Sequence, residues 1–298
     1  MIYLIGLILL IFTIYLYLKS SFLKKLSFET LRIYLFLHYF FLLSGGYLIS
    51  IFLKEYKFQN IFEFFITSFS LFLLFQSALI LNDYFDKEGD RYIRKTNPFF
   101  YEYKKKEVIF YFLFFTISSL ILSSFSLRVF LIFIFSHLLH IIYSVPPIRL
   151  KKYFPLNLLI LGTAAFFSFM MGFGINISYK ELPLKIYFLI FLALTPAISF
   201  RDLLDFEGDK ILGVKTLPTI FGIEKGKNYS AFLILYSYLI VPLILKFFLL
   251  YLISIPLGIL SFFEIKKEKM NQLKIFNYYF LFLFTIIIIF GIKPEILL

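Results

Sequence analysis

Ten long apolar stretches divide this chain of 298 residues. Each holds about 20 mostly apolar residues, which is the length an α-helix needs to cross the hydrocarbon core of a bilayer. Strands of a membrane β-barrel alternate over about 10 residues, whereas these runs are longer and do not alternate. The pattern predicts an all-α, polytopic membrane helix bundle with spans near 2–18, 33–53, 62–82, 108–126, 129–145, 156–177, 184–200, 229–245, 247–263 and 275–292.

Composition supports a membrane protein and excludes several other classes. Hydrophobic residues make up 61% of the chain and charged residues only 16%, against about 45–50% and about 25% in soluble domains. Soluble, disordered and disulfide-rich secreted proteins are therefore excluded. Because the chain has no Cys, it has no thiolate nucleophile and no zinc-thiolate site.

The basic residues are distributed unevenly between the loops. The net charge of +12 would suggest nucleic acid in a soluble protein, but Lys and Arg collect in the cytoplasmic loops of membrane proteins. With ten spans, one side receives 23 of the 30 Lys and Arg residues. We therefore expect that side to be cytoplasmic, the partner to be a lipid bilayer rather than nucleic acid, and the location to be a prokaryotic plasma membrane.

The first apolar stretch has two interpretations. It lacks a basic segment before it and a small-residue cleavage site after it, both of which a signal peptide needs. We interpret residues 1–28 as an uncleaved N-terminal transmembrane anchor with its linker, and residues 29–298 as the core of the protein.

All six Asp residues of the chain lie in two short, similar segments. Each segment reads Asp-x-x-Asp-x-Glu-Gly-Asp followed by a basic residue, and the two are 119 residues apart. Each ends a span that enters the predicted cytoplasmic side, so the two spans run in the same direction. A pseudo-twofold axis along the membrane normal would bring two such segments face to face.

Helical geometry groups the acidic side chains of each segment. At about 100° per residue, Asn82, Asp83, Asp86 and Asp90 fall within an arc of about 100°, and Asp202, Asp205 and Asp209 within about 60°. Like charges one turn apart repel unless cations lie between them. Hard carboxylate oxygens suit Mg²⁺, which completes its shell with water and phosphate oxygens. The sequence therefore predicts a Mg²⁺-bound diphosphate, held at the cytoplasmic edge of the membrane.

Other interpretations of these acids stay open. They could be solvated charges at the membrane interface, paired with neighbouring Lys and Arg. An EF-hand calcium loop does not fit, because its ligand spacing differs. A transporter also carries intramembrane acids and repeats, but transport sites lie near the bilayer midplane, whereas these acids cluster at one face.

At these residues the chain resembles the UbiA-type superfamily of intramembrane prenyltransferases. The first segment matches the superfamily's Asn-Asp-x-x-Asp-x-x-x-Asp motif, and Asp205 and Asp209 match its Asp-x-x-x-Asp motif. Two further segments are similar to superfamily motifs, one at 143–151 with Tyr-Ser and two Pro residues, and one at 213–218 ending in Thr-Leu-Pro. The resemblance covers about residue 32 to the C-terminus and implies a nine-helix core, to which the first span is an addition.

The resemblance implies an enzyme that transfers a prenyl chain with the help of Mg²⁺, here expected as two ions. The metal ligands it implies are Asp83, Asp86, Asp90, Asp202, Asp205 and Asp209, of which Asp83, Asp86, Asp205 and Asp209 are the expected catalytic residues. The expected substrate-binding residues are Arg32, Asn82, Lys95, Tyr143, Arg149, Lys151 and Arg201. The chain departs from the superfamily where an Arg-Pro pair often opens the first core helix, and in the segment around Thr96, Asn97 and Pro98. Both places lie near the diphosphate in members of the superfamily.

The prenyl acceptor has two candidate classes. The donor implied by the resemblance is an allylic polyprenyl diphosphate. An aromatic quinone precursor is the first expectation for the small acceptor, on the breadth of the superfamily. A glyceryl ether lipid precursor receiving a geranylgeranyl chain is the alternative, because the Asp motifs and the segment at 215–218 also resemble that archaeal-type branch.

Overall fold

A computed structural model describes residues 1–27, 30–53, 60–92, 97–101 and 103–297. These residues form helices joined by turns, and no β-strand occurs among them. The all-α prediction is confirmed. The α-helices are α1 (Ile2–Lys19), α2 (Ser21–Ser27), α3 (Thr30–Leu53), α4 (Ile61–Tyr92), α5 (Lys105–Ser123), α6 (Leu127–Ser144), α7 (Leu156–Phe173), α8 (Leu184–Phe188), α9 (Thr195–Ala197), α10 (Phe206–Leu212), α11 (Leu217–Phe221), α12 (Ile223–Leu245), α13 (Tyr251–Lys266) and α14 (Gln272–Ile292).

Ten helical segments of the described residues are long and apolar enough to cross a membrane. They agree with the ten predicted stretches within a few residues, except that α4 continues ten residues beyond the predicted end of its span and α12 begins six residues before the predicted start of its span. One of the ten, Leu184–Leu203, joins α8 and α9 through a π-helical stretch (Leu189–Leu194) and ends in a 3₁₀ stretch (Ile198–Leu203).

The outward faces of the spans are apolar. Leu4 is 63% exposed on α1, and Leu252 is 75% exposed on α13. Such a density of exposed large hydrophobic side chains is unfavourable in water and is expected against lipid. The protein is therefore an integral membrane protein.

The chain divides into two compact units, Met1–Arg149 with Phe167–Tyr179, and Leu150–Phe166 with Lys180–Leu298. In the first unit, α1 and α2 pack against α4 and α5. Leu23, Leu26, Leu73 and Phe115 are fully buried in this cluster. Residues of the segment that we expect to be a transmembrane anchor with its linker therefore contribute to the core of the first unit.

Two glycines allow α3 to lie close to the last turns of α7 within the first unit. A Cβ atom on Gly46 would overlap the carbonyl oxygen of Phe169, and one on Gly172 would overlap that of Leu43. Helix pairs in membranes use small residues in this way, because close backbone approach increases van der Waals contact.

In the second unit, α12 is the central helix. It packs against α11, α13 and the Leu184–Leu203 segment. Its buried face includes Ala231, Ile234 and Tyr238, and the Tyr238 ring contacts that of Phe282 on α14. This packing fixes the segment from which the second group of Asp residues extends.

Candidate functional site

The first Asp-rich segment forms the last turns of α4. Asp83, Asp86 and Asp90 lie on one face of the helix and are only 3%, 9% and 6% exposed. Their spacing of three and four residues places them one turn apart. Glu88, on the opposite face, is exposed. The predicted single face of carboxylates is observed for this segment, and these carboxylates are buried.

Asp83 forms a buried ion pair with Arg32 of α3. Nη1 of Arg32 donates to Oδ2 of Asp83 at 2.6 Å, and the two side chains are 6% and 5% exposed. The same nitrogen donates to the carbonyl oxygen of Leu26 at 2.6 Å. The short distances are those of charge-assisted hydrogen bonds, so the guanidinium of Arg32 is held between α2 and α4.

Asp86 pairs with Arg149, which follows the two prolines after α6. Nη2 of Arg149 donates to Oδ1 of Asp86 at 2.8 Å and to the carbonyl oxygen of Phe85 at 3.1 Å. The Nε of Arg149 is buried and has no hydrogen-bond partner in the protein. Arg149 also has a φ of +37°, a region that costs free energy for residues other than glycine and that is concentrated at functional sites. These features fit a guanidinium that can donate one more hydrogen bond, from Nε, to a ligand.

Asp90 is held by Asn97, a residue that the sequence analysis did not place in the site. Nδ2 of Asn97 donates to Oδ2 of Asp90 at 2.7 Å and to the carbonyl oxygen of Asp83 at 3.0 Å. Its Oδ1 accepts from the backbone N–H of Phe99 at 2.9 Å, capping the short 3₁₀ turn that begins at Pro98. The Asn-Pro pair just after the motif was the available signal, because Asn followed by Pro favours this kind of turn.

The second Asp-rich segment does not form one continuous α-helix, so the predicted 60° arc is wrong. Asp202 lies in the 3₁₀ stretch, Asp205 is the residue preceding α10, and Asp209 lies within α10. Pro196 lacks an amide hydrogen and disrupts regular α-helical pairing, and the π-helical and 3₁₀ stretches lie on either side of it. The 3₁₀ helix has about 3.0 residues per turn, so angles computed for an α-helix do not apply.

Asp202 contacts a buried amide within the second unit. Nδ2 of Asn157, at the start of α7, donates to Oδ2 of Asp202 at 3.3 Å. Asn157 is 3% exposed, and its Oδ1 is buried without a hydrogen-bond partner in the protein. The positive charges of Arg201 and Lys151 act on the same carboxylate. The Asp202 carboxylate thus accepts from one amide and is acted on by two cations and by the like charge of Asp205.

The other predicted site residues are placed as follows. Asn82 is partly buried on α4, Tyr143 is partly buried in the last turn of α6, Arg201 is partly buried, and Lys151 is buried. Lys95 lies outside the described residues.

The motif at 213–218 has a local structural explanation. Gly213 ends α10 with a φ of +66°, a left-handed conformation that glycine adopts without strain. Thr216 and Thr219 form a capping box at the start of α11, in which the side chain of each residue accepts a hydrogen bond from the backbone N–H of the other. The motif therefore fixes the turn that leads away from Asp209.

The carboxylates fit Mg²⁺ chemistry. Among the described residues, no three acidic or His side chains form a ready-made ligand group. Mg²⁺ usually takes one or two carboxylates and completes its shell with water and substrate phosphate. Each carboxylate has two oxygens and about four acceptor positions, so an Arg or Asn contact does not exhaust its capacity. The donors are hard oxygens, which suit this ion.

Comparisons with known proteins agree with the fold. The model of the UbiA prenyltransferase family matches residues 40–286. The structure is similar to that of a UbiA homologue from Archaeoglobus fulgidus bound to DMAPP and Mg²⁺, with a TM-score of 0.68 and 20% identity over 89% of this chain and 96% of that one. A UbiA homologue from Archaeoglobus fulgidus bound to GPP and Mg²⁺ gives a TM-score of 0.64 and 19% identity over 88% of this chain and 97% of that one.

A further solved structure is similar over most of its length. A digeranylgeranylglyceryl phosphate synthase gives a TM-score of 0.54 and 23% identity over 87% of this chain and 94% of that one. No curated protein matches the chain. The family match spans most of the chain, including both Asp-rich segments and Arg149. This chain is therefore a membrane prenyltransferase that belongs to the UbiA prenyltransferase family.

Proposed function

We propose that this protein transfers an isoprenoid chain from an allylic polyprenyl diphosphate to a small acceptor, in a reaction that depends on Mg²⁺. The observation that carries the proposal is the row of buried carboxylates on α4 together with Arg149, whose Nε is buried and unpartnered. Each of these carboxylates has a protein partner, and Mg²⁺ takes carboxylate oxygens together with phosphate oxygens. A row of carboxylates beside a guanidinium with an unused N–H therefore suits a diphosphate bound with Mg²⁺. The family match excludes the transporter alternative.

The roles that we propose for the residues follow from charge. Bound Mg²⁺ would neutralise the diphosphate and so stabilise it as a leaving group. Both Asp-rich segments supply metal ligands, and Arg149 takes a phosphate oxygen through its planar guanidinium. The other proposed substrate-binding residues are Arg32, Asn82, Lys95, Tyr143, Lys151 and Arg201.

The proposed reaction breaks the bond between the allylic carbon and the diphosphate oxygen. The electron pair leaves with the diphosphate, and positive charge develops on the allylic carbon. A carbon or oxygen of the acceptor attacks that carbon and then loses a proton. The π faces of Tyr and Phe side chains can stabilise the developing positive charge, and Tyr143 is our candidate for this role.

Two acceptor classes remain in the proposal. An aromatic quinone precursor is the first choice. A glyceryl ether lipid precursor is the second, and the similarity to a digeranylgeranylglyceryl phosphate synthase favours testing it directly. We also propose that two Mg²⁺ ions bind, and that the site faces the cytoplasm of a prokaryotic cell, on the side that carries most of the basic loops.

Prenyl transfer in membranes from cells that express the chain tests the proposal. Labelled geranyl, farnesyl and geranylgeranyl diphosphates would be supplied with and without Mg²⁺, each with aromatic and glyceryl ether acceptors. Asp86→Ala and Asp205→Ala remove one carboxylate from each segment. Glu88→Ala and Glu207→Ala are the matched controls, because each removes an exposed carboxylate from the same segments.

A Mg²⁺-dependent product that is lost in the two Asp variants and kept in the two Glu variants would support the proposal and identify the acceptor class. Folded protein that neither turns over nor binds any of the three diphosphates in the presence of Mg²⁺ would refute it.

A further inference from the structure

Helix α2 contributes a backbone oxygen to the environment of the first Asp-rich segment. Nη1 of Arg32 carries two hydrogens, and it has two acceptors at 2.6 Å, the carbonyl oxygen of Leu26 and Oδ2 of Asp83. Leu26 belongs to α2, and both Leu26 and Arg32 precede the residues 40–286 that the family model matches. The orientation of this arginine therefore depends on a segment that precedes the matched region.

A chain of side-chain hydrogen bonds fixes α2 between α1 and α4. Oγ of Ser27 donates to Oε1 of Gln76 at 2.6 Å. Since a hydroxyl has one hydrogen, the 2.7 Å contact between Tyr17 and Ser27 has the Tyr17 hydroxyl as donor. Gln76 is 2% exposed and lies two turns before Asp83 on α4. The hydrogen bonds from Tyr17 to Ser27 and from Ser27 to Gln76 therefore hold α2 against the helix that carries the carboxylates.

Apolar packing holds the same segment. Leu23 and Leu26 are 0% exposed and lie in the cluster that includes Leu73 of α4 and Phe115 of α5. This burial fixes the distance of α2 from α4, while the hydrogen bonds of Ser27 fix its position along α4. The Leu26 carbonyl is therefore presented to Arg32 in a defined place.

We propose that the N-terminal segment formed by α1 and α2 is a positioning element for the diphosphate site, acting through Arg32. This inference rests on the proposed function. It assigns to Tyr17 and Ser27 the task of holding the Leu26 carbonyl, which orients the Arg32 guanidinium and through it the carboxylate of Asp83. Tyr17 and Ser27 are positioning residues and do not touch the substrate.

The test compares Tyr17→Phe and Ser27→Ala with Tyr3→Phe in the full-length chain. Tyr3 is a matched control, because its hydroxyl also joins α1 to α4, through Oε1 of Glu63 at 2.7 Å, near the opposite end of α1. The KM for geranylgeranyl diphosphate, the Mg²⁺ concentration at half-maximal rate, kcat and the melting temperature would be measured. Loss of one hydrogen bond is expected to raise KM or the Mg²⁺ requirement by about threefold to tenfold in the first two variants. Tyr3→Phe is expected to leave KM and the Mg²⁺ requirement unchanged. Ser27→Thr keeps the hydroxyl and is expected to have the wild-type values of both.

A cycle with Arg32→Lys separates positioning from a general loss of stability. If α2 acts through Arg32, Ser27→Ala has little further effect on KM once Arg32 has been replaced. Additive effects of the two changes would overturn the inference, and so would identical kinetics for Tyr17→Phe, Ser27→Ala and Tyr3→Phe. In either case an active wild-type protein would leave the proposed function intact. A wild-type protein that shows neither turnover nor Mg²⁺-dependent stabilisation by any of the three prenyl diphosphates would overturn both.

Discussion

Oδ2 of Asp202 accepts a hydrogen bond from the side-chain amide of Asn157 at 3.3 Å, and the carbonyl oxygen of that same amide is buried without a partner. Buried polar atoms are nearly always hydrogen-bonded. An orphan next to a proposed metal ligand therefore indicates a group kept for function at a cost to stability.

Replacement of Asn157 by Leu tests this interpretation. We expect prenyl transfer to fall by at least about tenfold while the melting temperature changes little. The substitution removes an unpaired buried oxygen, whose desolvation costs about 1–3 kcal/mol, but it also removes the hydrogen bond to Asp202. Asn176→Leu is the control, since Asn176 is paired with both Ser50 and Asn60. That variant should lose stability and keep its kinetic constants. A loss of stability in Asn157→Leu without any fall in kcat or rise in KM would contradict the interpretation.

Breaking the ion pair between Arg32 and Asp83 should destabilise the protein. We expect Asp83→Leu to lower the free energy of unfolding by about 3–5 kcal/mol, because it leaves a buried guanidinium without its carboxylate. The double variant Arg32→Met with Asp83→Leu removes both charges and should recover most of that loss. Both variants should be inactive if Asp83 binds metal. Denaturation in detergent, with transfer measured in parallel, separates the two effects, and an active double variant would exclude Asp83 from the site.

Replacement of Arg149 by Lys should weaken substrate binding more than it weakens the fold. A lysine keeps the charge and can still pair with Asp86, but it lacks the planar guanidinium and its Nε. We expect KM for the prenyl diphosphate to rise by about tenfold, because about one charge-assisted hydrogen bond to the diphosphate is lost. Arg91→Lys is the control, because Arg91 is 59% exposed and its distance to Glu88 is 3.6 Å. Equal KM values in the two variants would argue against a role for Arg149 in binding.

Removal of Mg²⁺ should abolish activity without unfolding the protein. Asp83, Asp86 and Asp90 have protein partners in Arg32, Arg149 and Asn97, so their burial does not depend on a metal ion. We expect a chelator to stop prenyl transfer while leaving the helical circular dichroism signal unchanged, and added Mg²⁺ to restore the rate. Full activity with the chelator present would rule out the metal dependence.

Much of this architecture could be predicted from the sequence. Run length alone located the ten spans, because the hydrocarbon core requires helices of about 20 residues. The face formed by Asp83, Asp86 and Asp90 followed from helical periodicity, since α4 stays regular up to Tyr92. The pairing of Arg32 and Arg149 with these acids could not be derived, because it depends on how separate helices pack.

The conformation of the second Asp-rich segment and the role of Asn97 could not be predicted from the sequence. The second Asp-rich segment departs from the α-helix after Pro196, so angles based on a single helical period do not apply to its Asp residues. The role of Asn97 rests on hydrogen bonds to Asp83 and Asp90, which are tertiary contacts that the sequence pattern does not show.

The irregular end of the Leu184–Leu203 segment has a consequence for dynamics. Its 3₁₀ stretch of six residues is longer than the three or four residues that such helices usually reach, and 3₁₀ hydrogen bonds have poorer geometry. Local opening there needs less free energy than in the regular turns of α4. Amide hydrogens near Asp202 should therefore exchange with solvent deuterium sooner than those near Asp83. We therefore expect the first Asp-rich segment to keep its geometry and the second to adjust when a ligand binds.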